Sequence, residues 1–186
     1  MGERRIQGKQ IRMKEKNEDN KKKIKKPAIE IREMNIDDLP TVFHIGEDIF
    51  TAEKVQNLYR TWDEMEVTSV FLGNPELCLV AESENKVVGF ILGTVIEKRQ
   101  SPWKYGYILW LGVCPEFQFI GTATRLFQSF YKLMKNLGVR ILMVDTEESN
   151  APAIKFFTKL GFSKPQRQIF LSLNISQEKN QLKSIK

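Results

Sequence analysis

Apolar and polar residues alternate over 29–34 (Ile-Glu-Ile-Arg-Glu-Met), which predicts a half-buried first strand. Asp37-Asp38-Leu39-Pro40 opens a helix running to about Ile49, with acids in its first turn. Residues 52–60 and 63–72 carry helical spacing, and Asn74-Pro75 breaks it. Leu77 to Ala81 and Val87 to Ile96 are apolar runs joined through Asn85, and they predict a hairpin. After a loop at 101–104, Tyr105 to Cys114 forms a long strand. Thr122 to Asn136 is an amphipathic helix stopped by Gly138. Val139 to Val144 is a buried strand, 150–160 a helix with Asn150 as N-cap, Pro152 in its first turn and Gly161 as its stop, and 168–173 a last strand. The strands at 105–114 and 139–144 are linked through a helix, so they should be parallel neighbours, while the hairpins are antiparallel.

Composition limits what this order can become. With 186 residues, 41% of them apolar, the chain suits one domain with an ordinary core. Its expected organisation is a basic, disordered tail at 1–26, a domain at 27–175 and a polar tail at 176–186. Residues 1–26 hold 11 Lys/Arg against 4 Asp/Glu. The tail has no interleaved aromatics, so it gives no support for nucleic-acid recognition, and a solvated extension is the simpler expectation. No apolar run is long enough for a membrane span. Two cysteines and one histidine give neither a disulfide framework nor metal-ligand spacing, and they suit a reducing, cytoplasmic setting.

The chemistry concentrates after the central strand. Gln118-Phe119-Ile120-Gly121-Thr122-Ala123 is a glycine-containing turn that opens a helix. Such a turn exposes backbone N–H groups at the positive end of a helix dipole, a setting for phosphate. There is no P-loop and no Gly-x-Gly-x-x-Gly. About thirty residues on stands Asn150-Ala-Pro-Ala153-Ile-Lys-Phe156-Phe157-Thr-Lys-Leu-Gly161-Phe162. Together, in this order and at this separation, the two segments resemble the GNAT superfamily of acetyl-CoA-dependent N-acetyltransferases, most strongly over 86–173. The resemblance implies an α/β fold: a mixed, mostly antiparallel central sheet with one parallel, splayed strand pair, flanked by helices.

The resemblance also implies roles. Acetyl-CoA would be the co-substrate, with no metal. Its arm would run along Leu111, Gly112 and Val113, whose backbone groups need partners where the strands part; the side chains of Leu111 and Val113 would face the core. Gln118, Phe119, Ile120, Gly121, Thr122, Ala123, Thr124 and Arg125 would cradle the pyrophosphate, and Asn150, Ala153 and Phe156 would line the arm. The family's frequent cation is absent at Phe119-Ile120, and its frequent tyrosine acid is Phe157, which donates no proton. Candidate proton handlers are Tyr105 and Tyr107, on one face of the strand, and the loop acids Glu147 and Glu148. Each has an alternative reading as pocket wall or solvated loop. Cys114 reads as an apolar filler and His44 as a structural or surface residue.

The expected reaction is acetyl transfer to a primary amine on a protein N-terminus, a lysine or a small molecule. The alternative is a CoA-binding regulatory protein of the same fold. Acceptor recognition would fall to residues 46–66, rich in acids, and to the loop 97–104. Dimers are common in the resembled family, so a homodimer belongs among the expected partners.

Overall fold

The computed structural model describes residues 27–50, 62–97, 99, 102–163, 165–169 and 171. The basic tail, the helix expected at 52–60, the tail at 176–186 and residues 98, 100 and 101 of the 97–104 loop lie outside the described residues. The chain divides into two compact units, one through Asp145 and one from Thr146.

The first unit is a five-stranded sheet with two helical layers. Its strands are β1 (Glu30–Glu33), β2 (Cys78–Ser83), β3 (Lys86–Glu97), β4 (Lys104–Val113) and β5 (Val139–Val144), side by side in chain order. All pairs are antiparallel except β4 and β5, which are parallel. A helix joins that last pair, and only a crossover of this kind can return a strand in the same direction. The helices are α1 (Leu39–Ile49), α2 (Glu64–Gly73) and α3 (Thr122–Asn136). The start expected at Asp37 is instead a 3-10 turn over Ile36–Asp38, whose N-cap Asn35 forms a reciprocal capping box with Asp38. At α2, the Asp63 side chain accepts from Glu66 N at 2.7 Å.

One face of the sheet packs on α1 and α2. Val42, Ile45, Val67 and Phe71 meet Cys78, Val80, Phe90, Leu92 and Trp110 in one buried cluster. The other face takes α3, whose Phe130 is fully buried. Gly93 makes room for that ring: a Cβ there would lie 2.3 Å from Phe130 Cζ. On the α1 side, a Cβ on Gly46 would lie 1.9 Å from Trp62 Cε2. Both glycines are packing requirements, since interiors of this density cannot absorb such overlaps.

At the sheet edge, Arg32 donates to Asp38 at 2.7 and 3.0 Å and to Glu82 at 2.7 Å, tying β1, β2 and the 3-10 turn. The hydrogen bond from Arg32 holds the buried Asp38 carboxyl below its usual range.

The second unit contains α4 (Ala151–Lys159). Asn150 caps it by accepting from Ala153 N at 3.2 Å, and Gly161 ends it at φ +100°. Phe157 is buried here, its ring 5.2 Å from Phe156 and 5.3 Å from Phe162. The strand expected at 168–173 does not appear at the described residues 168, 169 and 171. Ile169 and Leu171 are instead 88% and 85% exposed, so the alternation there marks no buried face.

Candidate active site

The site is built from β4 and from the loop and helix start beyond its carboxyl end. Along its first half, β4 is sandwiched: Lys104 to Ile108 pair with β5 on one side, with a shift in register after Lys104, and with β3 on the other. At Ile108 the register with β5 runs out, while β3 continues to Val113. β5 ends there at Val144, so Leu109–Val113 extend past it along an open edge.

A β-bulge sits at the opening. Leu92 faces Trp110 but Gly93 faces Ile108, so Leu109 is the extra residue. Simple alternation would place Tyr107, Leu109 and Leu111 on one face and Trp110 on the other. The bulge changes the phase. Gly106 and Ile108 face α3, so Tyr105 and Tyr107 point towards the α1/α2 side. Beyond the bulge, Trp110 and Gly112 point that way too: Trp110 sits in the α1/α2 cluster, and a Cβ on Gly112 would meet Phe90 and Ile49. Leu111 and Val113 turn to the α3 side, where Val113 is buried and Leu111 only half-buried. The core placement expected of Leu111 is therefore partial.

Tyr107 has a defined polar partner. Its hydroxyl donates to Asp145 Oδ1 at 2.6 Å. Asp145 directly follows β5, at the carboxyl end of a parallel strand. Active sites of open α/β sheets gather at such ends. Sequence reading passes over Asp145 in favour of Glu147. Its place at the apolar-to-polar step after Val144 is the available signal. Glu147 falls in the second unit, where its carbonyl accepts from Asn150 N at 3.0 Å, and Glu148 pairs with Arg167 at 2.9 Å.

Trp110 is held by ring contacts with Phe50 (4.8 Å) and Trp62 (5.1 Å), and its indole N–H donates to Glu66 Oε1 at 3.3 Å. The surrounding chain is acidic: residues 33–85 contain twelve Asp/Glu and two Lys/Arg. His44 is exposed beside Glu47, at 2.9 Å.

The loop after β4 is braced at both ends. Gln118 Nε2 donates to Val113 O at 2.9 Å, and the buried Thr122 hydroxyl donates to Phe117 O at 2.8 Å. Between them Phe119 adopts φ +60° and Gly121 φ +100°. Gly121 is the N-cap of α3 and supplies no side chain to it. The first helical N–H bond is Arg125 to Gly121 O at 3.0 Å, so the N–H groups of Thr122, Ala123 and Thr124 lack a capping side chain. The space at Gly121 is open, with nothing within 4 Å of a built Cβ. This geometry fits an anionic group, which the helix start attracts by N–H donation and dipole.

Cys114 ends the strand. Burial pushes its thiol pKa up and the neighbouring Glu116 adds to the effect, so the thiol stays protonated, as an apolar filler should. The described residues include no group of three or more His, Cys, Asp or Glu placed to hold a metal. No helix among them is long and apolar enough to cross a membrane.

A five-stranded mixed sheet opening beside β4, with an uncapped helix start after it, is the architecture of an acyl-CoA-binding acetyltransferase fold. The profile of the acetyltransferase (GNAT) family matches residues 37–162, and the chain belongs to that family. N-alpha-acetyltransferase 30 of Schizosaccharomyces pombe is 31% identical over 100 residues, covering 54% of this chain and 66% of the relative. The curated relatives are matched over 27% to 66% of their own lengths. Among solved structures, Ard1 from Thermoplasma volcanium superposes with a TM-score of 0.62 at 24% identity, over 75% of this chain and 85% of the other. The NatC complex bound to Gag peptide and CoA gives 0.62 at 20% identity, over 75% and 87%. At these identities the two structures show a shared fold.

Proposed function

We propose that this protein is an N-acetyltransferase that moves the acetyl group of acetyl-CoA to a primary amine, with protein N-terminal amines first among its acceptors. The observation that carries the reading is the braced, uncapped α3 start beyond β4 together with the Tyr107–Asp145 hydrogen bond at the carboxyl end of β5. The named N-alpha-acetyltransferase relatives support the acceptor class.

Acetyl-CoA supplies an activated thioester when bound. The N–H groups of residues 119–124 would hold its pyrophosphate, with Arg125 the first cation available, and the backbone of Leu111–Val113 would align its arm. Asn150, Ala153 and Phe156, the resemblance's other candidates for the arm, lie on the second unit, where Asn150 also caps α4. A backbone N–H in 111–113 would face the thioester oxygen as charge develops there. The amine must lose a proton to attack productively. Tyr107 oxygen can accept it while the Tyr107 hydroxyl proton passes to Asp145 Oδ1, so that Tyr107 ends unchanged and Asp145 gains one proton. Acidic residues of 33–85 would favour a cationic acceptor approaching on that side. A cytoplasmic setting and a homodimer belong to this proposal too.

The test is amine-dependent release of CoA thiol with a synthetic peptide bearing a free N-terminus, beside the same peptide blocked. Acetyl-CoA binding without release for any amine would favour a second reading, a CoA-binding regulator. The buried, hydroxyl-free Phe157 is the observation behind that reading.

A further inference from the structure

Phe119 combines full exposure with an unfavourable backbone. It shows 102% of its reference area to solvent, and it sits at φ +60°. Left-handed backbone costs any L-residue with a Cβ, and a bulky ring with no polar atom gains no local hydrogen bond in return. Folding alone would favour glycine or asparagine there. The conformation is imposed from both sides, by Gln118 on Val113 O and by Thr122 on Phe117 O. Those braces present the ring to solvent. Strain held in this way is a pointer to use. The loop also lacks charge: residues 117–124 include no Lys or Arg.

We propose that Phe119 is a specificity-determining contact for the nucleotide end of the acyl-CoA, its ring packing on the adenine. This rests on the acetyl-CoA reading and deepens it. A chain without a cation in its phosphate loop must gain affinity elsewhere. The exposed π-face stands two residues before the helix N-cap, at the rim of the proposed pyrophosphate cradle. Base–aromatic stacking is sequence-tolerant and insensitive to salt, unlike the ion pair it replaces.

Calorimetric titration of acetyl-CoA and of acetyl-4′-phosphopantetheine, which lacks the 3′-phosphoadenylate (adenosine with two phosphates), tests this on the full chain and on Phe119→Gly and Phe119→Ala. The glycine variant should melt about 2 °C higher without ligand, through relief of the left-handed strain. It should nonetheless bind acetyl-CoA about tenfold more weakly, with unchanged affinity for the truncated probe. Opposite signs for stability and affinity would not arise from a purely structural role. Two results overturn the proposal: Phe119→Gly binding acetyl-CoA like the parent chain, or losing both probes equally. Failure of the parent chain to bind acetyl-CoA at all would remove the underlying reading, and the proposal with it.

Discussion

The two halves of β4 meet opposite demands. Lys104 to Ile108 lie between two strands, with Gly106 and, opposite Ile108 on β3, Gly93 packed so closely that a methyl group would collide with α3. Leu109 to Val113 extend past β5 and lead into a loop where Gly121 has open space around it and a left-handed backbone. Glycine serves density in the first half and conformation in the second. One half is optimised for burial; the other keeps backbone donors and strain in reserve. Substitutions should separate the two cleanly.

The largest effect is expected at the open end. Gly121→Glu puts a carboxylate where an anion should sit, and acetyl-CoA affinity should fall by roughly 100-fold or more in calorimetry. A variant that binds like the parent would move the cofactor away from the α3 start. Next, Asp145→Asn and Tyr107→Phe should each lower kcat by about 100-fold while leaving acetyl-CoA affinity unchanged, and the double variant should fall little further. Additive losses would mean that the pair does not act as a unit. At the packed end, Gly93→Ala should cost about 2 kcal/mol in denaturant unfolding, because Phe130 and the Tyr107 carbonyl both obstruct the new methyl. Parent-like stability would mean that the α3 face yields to the added methyl.

The smallest effect lies at the far edge of the sheet. Asp38 has a lowered pKa in the fold, so its contribution is present above the unfolded carboxylate value near 4 and is lost as pH falls through the lower folded value. Asp38→Asn should therefore cost about 1 kcal/mol at pH 7 and nothing further in strong acid, since Arg32 remains partly exposed and screened. Melts at pH 7 and below pH 3 would check the sign. A cost that grows in acid would contradict it.

Much of the fold is legible in the sequence because its periodicities are local. The helix at 122–136 and the strand at 139–144 carry their own spacing and stops, and both appear with those bounds. Asn150 reads as a cap because the residue type and Pro152 agree. The bulge at Leu109 is not legible: a period of two has no mark for an inserted residue, and only the pairing with β3 reveals it. Asp145 escapes notice because its partner lies 38 residues away in sequence. The expected strand at 168–173 shows the converse failure, an alternating apolar pattern whose described side chains are exposed.

The bulge has a consequence for how this chain can change. Loops tolerate insertions and deletions because nothing downstream depends on their count. Leu109 has a similar freedom inside a strand: its loss alone would remove the bulge and leave Tyr107 and Trp110 two positions apart, still on one side of the sheet. Regular pairing with Leu109 retained would instead turn Tyr107 and Trp110 to opposite sides. One spare residue thus lets β4 lose a codon without reversing the face it presents.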